Sequence, residues 1–275
     1  FKQKTAYEIR LSLVGSEMCI RDRSMTMRKK IIIAVGIVFL ATLYLFGAKW
    51  LIYYRIGIVS LPASDNRHEY IFNDTILPQR GVVYMALGDS LTSGVGVEKY
   101  EESYPFLLAQ KIAATTTKVT HLNFSYPGAK SEDVLRDLVP RAAQKKADIV
   151  TVLVGTNDVM NGKVTDAQFR KNYEMIITTL LEQKYAKTYV ISIPFVGTNS
   201  LFLPPFNYYY REKVVRFNTI IKTLAAEYDV HYIDLTTPTE KFASKVSNYY
   251  AKDNFHLSQI GYLYWSTILY DNLNK

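Results

Sequence analysis

The chain has 275 residues, 48% of them apolar and 21% charged, with a formal net charge of +8. That is too apolar for a disordered chain and too long for a small disulfide scaffold, and a single cysteine, Cys19, cannot bridge within the chain. The charge is uneven: residues 1–24 hold five basic and three acidic side chains (+2), residues 25–55 five basic and none acidic (+5), and residues 56–275 hold 23 basic and 22 acidic (+1). The basic excess therefore surrounds one apolar segment, as at a membrane. A groove for phosphates is excluded, and nucleic acid is not an expected partner.

Within residues 1–24 the run LVGSEMCIRD (13–22) resembles the in-frame translation of a transposon mosaic-end sequencing adapter, so this stretch is expected to be an artefact outside the fold. The natural start is then Met25 or Met27. Residues 25–55 follow as a basic stub and an apolar helix. Arg28, Lys29 and Lys30 stand directly before IIIAVGIVFLATLYLFGA (31–48), eighteen residues without a charge. Such a run spans a hydrocarbon core of about 30 Å, its basic flank predicts a cytoplasmic N-terminus, and Trp50, Tyr53 and Tyr54 form an interfacial aromatic belt. A cleaved signal peptide is the rival reading. Against it, residues 46–50 (FGAKW) offer no clean A-x-A-like site, and the run exceeds the usual apolar region of about 7 to 15 residues.

Residues 56–80 read as a tether, polar and aperiodic from residue 61 and bracketed by Pro62 and Pro78. The folded domain is expected over residues 81–275. Short apolar runs at 82–87, 119–124, 149–154, 189–193 and 230–235 read as buried strands. Between them lie helical patterns at about 105–115, 131–146, 166–184, 208–228 and 258–273, with Ser131 and Asp133 placed to start the second. The alternation predicts an α/β fold: a three-layer α/β/α sandwich on a five-stranded parallel sheet, preceded by one transmembrane helix.

In such sheets the active crevice lies outside the carboxyl ends of the strands, so the chemistry is sought just after each of them. The first strand leads into Gly88-Asp89-Ser90-Leu91, the second into Asn123-Phe124-Ser125-Tyr126-Pro127-Gly128, the third into Gly155-Thr156-Asn157-Asp158, and Asp253-Asn254-Phe255-His256 precedes the last helix. Each piece alone has a plain reading: Ser90 as a helix cap, Gly128 and Asn157 as turn residues, Asp253 as a turn acid beside a surface histidine. Of the four histidines, His68 lies in the tether, and His121 and His231 lie on predicted strands as core or edge residues. His256 differs, because a carboxylate three residues earlier can accept one ring N–H while the other nitrogen faces a nucleophile.

Taken together and in this order, the four blocks resemble the SGNH (GDSL) hydrolase family, over residues 83–265. The resemblance implies a flavodoxin-like hydrolase fold, Ser90 as nucleophile, His256 as general base and acid, and Asp253 as its orienting carboxylate. It implies an oxyanion hole from the Ser90 and Gly128 backbone N–H groups with the Asn157 side chain, and no cofactor. The last block departs from many relatives, with Leu257 where they carry Pro, and Tyr126-Pro127 stands directly before Gly128. Neither departure removes a functional atom, but both bear on the substrate cleft.

Other chemistry is not supported. Residues 93–97 (SGVGV) lack the full dinucleotide fingerprint, no P-loop occurs, and no H-x-x-x-H or cysteine cluster offers a metal site; Asp89, Asp158 and Asp234 read as structural acids. The expectation is a membrane-anchored, extracytoplasmic serine esterase of the lipase/acylhydrolase kind. The aromatic stretch 195–213 (FVGTNSLFLPPFNYYYREK), after the fourth strand, suits an acyl pocket, contact with the membrane, sugar stacking or simple loop packing. A lipid ester and an acylated carbohydrate both remain open as substrates. The rivals are a catalytically silent glycan- or lipid-binding module on the same fold, and a thioesterase, against which an exported location argues.

Overall fold

The computed structural model describes residues 26–60, 69–74, 81–114, 118–195 and 197–274. The adapter-like residues 1–24 with Cys19, and His68, lie outside the described residues. Two units are distinguished, one ending at Gly47 and one over Ala48–Lys275.

Helix α1, Met27–Tyr54, is 28 residues long. Its side chains from Ile31 through Phe39 to Phe46 are apolar and exposed, so the helix has no single face to bury in a protein core. It is long and apolar enough to cross a membrane.

The second unit carries a six-stranded sheet in the order β1-β3-β2-β4-β5-β6. The strands are β1 (Glu69–Phe72), β2 (Val82–Gly88), β3 (Val119–Ser125), β4 (Ile149–Leu153), β5 (Lys187–Ile191) and β6 (His231–Ile233). The last five are parallel and match the five expected strands, whereas β1 pairs antiparallel with β3, Tyr70 opposite His121. β1 comes from the stretch read as tether, and its EYIF sequence is a single short run that the flanking polar residues conceal.

Side-chain alternation along the strands feeds two cores. Met85, Leu87, Val150, Val152 and Val190 face one layer of helices: α3 (Ser131–Asp133, then a wide π turn Val134–Leu138, then Val139–Ala142), α5 (Asp166–Glu182) and α6 (Phe206–Glu227). Tyr84, Ala86, Tyr189 and Ile191 face the other, made by α2 (Tyr104–Ala113) and α8 (Gln259–Leu273). The three-layer sandwich is therefore present. The helix expected over 131–146 is broken by its wide turn because Pro140, in the next turn, has no N–H to continue the ladder. Two short helices escaped the periodicity: α4 (Thr156–Met160) and α7 (Thr236–Ala243).

From β2 the chain passes to β3 on one side of the sheet and later to β4 on the other. The carboxyl end of β2 is thus the switch point, where a crevice opens between diverging connections. Ser90 stands two residues beyond it.

Candidate active site

At the end of β2 the chain must turn hard against β4. A Cβ on Gly88 would lie 2.0 Å from Thr92 Oγ1 and 2.6 Å from the Leu153 carbonyl oxygen, so only glycine fits. Asp89 then organises the turn: its Oδ1 accepts the Leu91 N–H at 3.0 Å, and its carbonyl accepts the N–H groups of Thr92 and Ser93. Ser90 is held between them with its side chain toward the cleft.

His256 comes from the loop before α8. Its Nε2 lies 3.0 Å from Ser90 Oγ, and its Nδ1 lies 2.6 Å from Asp253 Oδ2. The other oxygen, Asp253 Oδ1, accepts the backbone N–H groups of Phe255 and His256, both at 2.9 Å. The carboxylate thus holds its own loop closed, with Asn254 in the left-handed region at φ 61°. Ser90, Asp253 and His256 are all buried. Burial alone would raise the Asp253 pKa, but the hydrogen bond to His256, the His256 ring itself, the Phe255 N–H and the Ser60 hydroxyl outweigh it and hold the carboxyl below its usual range.

Gly128 and Asn157 line the same cleft of about 430 Å³, with Ser90, His256, Val95, Pro127, Phe255, Ile56, Gly57 and Ser60. Gly128 has φ 84°, which a side chain resists, and nothing stands within 4 Å of where its Cβ would be. The glycine serves the backbone turn and leaves open space on the cleft side. Asn157, in the first turn of α4, donates from Nδ2 to the Ala129 carbonyl at 3.0 Å and to Asp89 Oδ2 at a longer 3.4 Å. Four of the five expected site residues therefore line one cleft, and the fifth, Asp253, stands behind His256.

Two buried acids support it. Asp158 accepts from Ser131 Oγ at 2.6 Å and from the Ser131 N–H at 2.8 Å, tying α4 to the start of α3. Burial raises its pKa to about 6, and burial with the nearby Asp158 charge raises that of Asp89 to about 7. Both acids read from the sequence as structural, and these contacts are structural. The buried Lys213 on α6 donates from Nζ to the carbonyls of Asp158 and Asn161, at 2.9 and 2.8 Å, and so closes the far end of the helix that carries Asn157. Its lysine type gave no hint of this.

His121 accepts the plain reading: it is buried between Tyr84 and Tyr100, its Nε2 is 2.9 Å from Tyr100 Oη, and burial drives its pKa down to about 3. His231 lies exposed on β6, stacked on Tyr189.

A second cavity, of about 230 Å³, is walled by Phe195, Phe202, Tyr208 and Tyr210 with Asn199, Asn207 and Arg211, all from the aromatic stretch. Its floor is Thr156, Val159 and Met160 of α4. An apolar cluster that includes Phe202, Phe255, Ile56 and Met160 contributes walls to both cavities.

Residues 86–263 match the GDSL-like lipase/acylhydrolase family. Among solved structures the chain is similar to the lipase/acylhydrolase from Enterococcus faecalis (21% identity, TM-score 0.55, 70% of this chain and 95% of that one). It is also similar to the psychrotrophic esterase EstA from Pseudoalteromonas sp. (18%, TM-score 0.57, 70% and 96%) and to the acetyl xylan esterase AlAXEase (20%, TM-score 0.56, 69% and 98%). At these identities the likeness carries the fold and not the substrate. No curated protein matches the chain.

Proposed function

The chain belongs to the GDSL-like lipase/acylhydrolase family, and on that premise we propose that it is a membrane-anchored, extracytoplasmic serine esterase that hydrolyses carboxylic esters through an acyl-enzyme on Ser90. The observation that carries this reading is the continuous hydrogen-bond chain Ser90 Oγ, His256 Nε2, His256 Nδ1, Asp253 Oδ2, opening on a cleft that also holds Gly128 and Asn157.

His256 Nε2 takes the Ser90 proton as Oγ attacks the ester carbonyl. The tetrahedral oxygen is met by the N–H groups of Ser90 and Gly128 and by the Asn157 amide, each such donor being worth about 10²–10³ in rate. Imidazolium returns its proton to the leaving alcohol, water then enters, and the same base drives hydrolysis of the acyl-enzyme. Asp253 keeps Nδ1 protonated, so that Nε2 is free to accept.

The anchor is helix α1, with Arg28, Lys29 and Lys30 on the cytoplasmic side and the domain beyond it outside. A second reading of the substrate, an O-acylated carbohydrate rather than a lipid, draws on the aromatic cavity. Flat rings beside two asparagines and an arginine suit a sugar's apolar face and its hydroxyls better than a bare alkyl chain.

The test is turnover of p-nitrophenyl esters from acetyl to decanoyl by the full chain in detergent, beside Ser90→Ala. A Ser90-dependent maximum at acetyl supports the carbohydrate reading, and one at long acyl chains the lipid reading. Absence of any Ser90-dependent turnover, with no labelling by a fluorophosphonate, would leave the silent binding module in its place.

A further inference from the structure

The stretch after α1 does not leave the domain as a free tether. Ile52 is buried with Leu201, Phe202 and Phe255, and Arg55 donates from Nη1 to the Lys252 carbonyl at 3.0 Å, directly beside Asp253. Arg55–Val59 make one wide π turn, and Ile56 and Gly57 within it, with Ser60 directly after it, form a wall of the cleft that holds Ser90. Ser60 Oγ ends 3.1 Å from His256 Nδ1.

That nitrogen already faces Asp253 Oδ2, so its single N–H can be shared between the carboxylate and the Ser60 oxygen, while the Ser60 hydroxyl proton turns to the carboxylate. The three groups then form a closed triangle in which each oxygen and the ring fix one another. Its chemical consequence falls on the opposite ring nitrogen. A pinned Nδ1–H keeps the Nε2 lone pair aimed at Ser90, and when the ring becomes cationic the Ser60 oxygen offers it a second acceptor.

We propose that Ser60 is a positioning residue for the Asp253–His256 pair, and that the segment Ile52–Ser60 joining the apolar helix to the sheet is a working part of the active site. The inference rests on the reading of Ser90 as nucleophile. It assigns a function to residues in which no motif is visible.

The backbone at Ser60 is extended, φ −60° and ψ 135°, a conformation that β-branched residues adopt readily, so the backbone accepts Thr and Val alike. They differ only in the hydroxyl. In the full chain in detergent, with p-nitrophenyl acetate, Ser60→Ala and Ser60→Val are expected to lose about tenfold in kcat with KM changed less than about twofold, while Ser60→Thr keeps kcat within about threefold. A wall residue without a role in positioning would instead move KM, and would make Thr and Val equal. Three outcomes overturn the proposal: Ser60→Ala retaining parental kcat, Thr and Val losing activity alike, or a loss confined to KM. Ser90→Ala run alongside separates the two readings. If it is inactive while Ser60→Ala is parental, only the Ser60 assignment fails; if it remains active, both fail.

Discussion

Asp253→Asn removes one charge and almost no volume, yet it reverses the donor pattern around His256. Asparagine keeps an oxygen for the N–H groups of Phe255 and His256, both at 2.9 Å in the parent, so the loop retains its shape. Its amide nitrogen, however, takes the place of the oxygen that lies 2.6 Å from Nδ1. Two donors cannot face each other, and the imidazole relieves the clash by moving its proton to Nε2. That nitrogen is 3.0 Å from Ser90 Oγ and can no longer accept the serine proton. A wrong tautomer of this kind costs about 10³–10⁴ in kcat, about 4–5.5 kcal/mol of transition-state stabilisation. The fold loses one charge-assisted hydrogen bond, about 1.5–3 kcal/mol, which in a domain of this size lowers Tm by about 3–12 °C. Steady-state hydrolysis of p-nitrophenyl acetate gives the first number and a circular-dichroism melt the second. A folded Asp253→Asn with kcat within about tenfold of the parent would refute the orienting role.

Gly88→Ala forces a methyl group to 2.6 Å from the Leu153 carbonyl oxygen and onto Thr92. Because backbone on a neighbouring strand has to move, a loss of about 3 kcal/mol or more is expected, read as a fall in Tm; a variant as stable as the parent would show that the strand end is looser than its contacts imply. Asp89 links stability to pH. Its pKa is raised from 3.8 to about 7 in the folded chain, so the folded state holds the proton more tightly; its contribution is full below about pH 4 and is lost as pH rises through about 7, roughly 4 kcal/mol in all. Asp158, raised to about 6, acts in the same direction. The parent's Tm should therefore fall between pH 5 and pH 8 relative to that of Asp89→Asn, and two parallel curves would contradict the buried, protonated carboxyl.

The sequence made the parallel sheet visible because its inner strands β2, β4 and β5 are covered on both faces and so read as continuous apolar runs. The candidate site blocks were visible for a related reason: in a parallel sheet the crevice lies at the strand ends, and Ser90, Gly128 and Asn157 stand two, three and four residues beyond β2, β3 and β4. The spacing of Asp253 and His256 fitted a turn acid beside a surface histidine equally well, and the order of all four blocks is what singled the pair out. What escaped has no local pattern. β1 has four residues; α4 has five and carries no periodic face; α7, TTPTEKFA, opens on three threonines and a proline that propensity disfavours. Ser60 meets His256 across 196 positions of chain, and a lone serine between Val59 and Leu61 carries no mark of such a partner. Lys213 carries no mark in the sequence either, yet its ammonium donates to two carbonyls at the end of the Asn157 helix.

On the proposed mechanism Asn157 has to meet a transition state with a side chain that already makes two hydrogen bonds. Its bond to the Ala129 carbonyl, at 3.0 Å, fixes the amide plane. Its bond to Asp89 Oδ2, at 3.4 Å, is at the outer limit of useful geometry, and burial keeps that carboxyl largely protonated below about pH 7. The second N–H therefore gives up little when it turns to a substrate oxygen, and it gains in proportion to the negative charge that oxygen acquires. On the proposed mechanism the exchange favours the tetrahedral state over the ester, which is the condition for an interaction to accelerate reaction rather than merely bind. A fully ionised Asp89 would do the reverse, holding the amide more tightly and repelling the charge it is meant to meet. Asp89 thus serves two ends on the proposed mechanism: it builds the turn through the Leu91 N–H, and while protonated, below about pH 7, it leaves the Asn157 donor available.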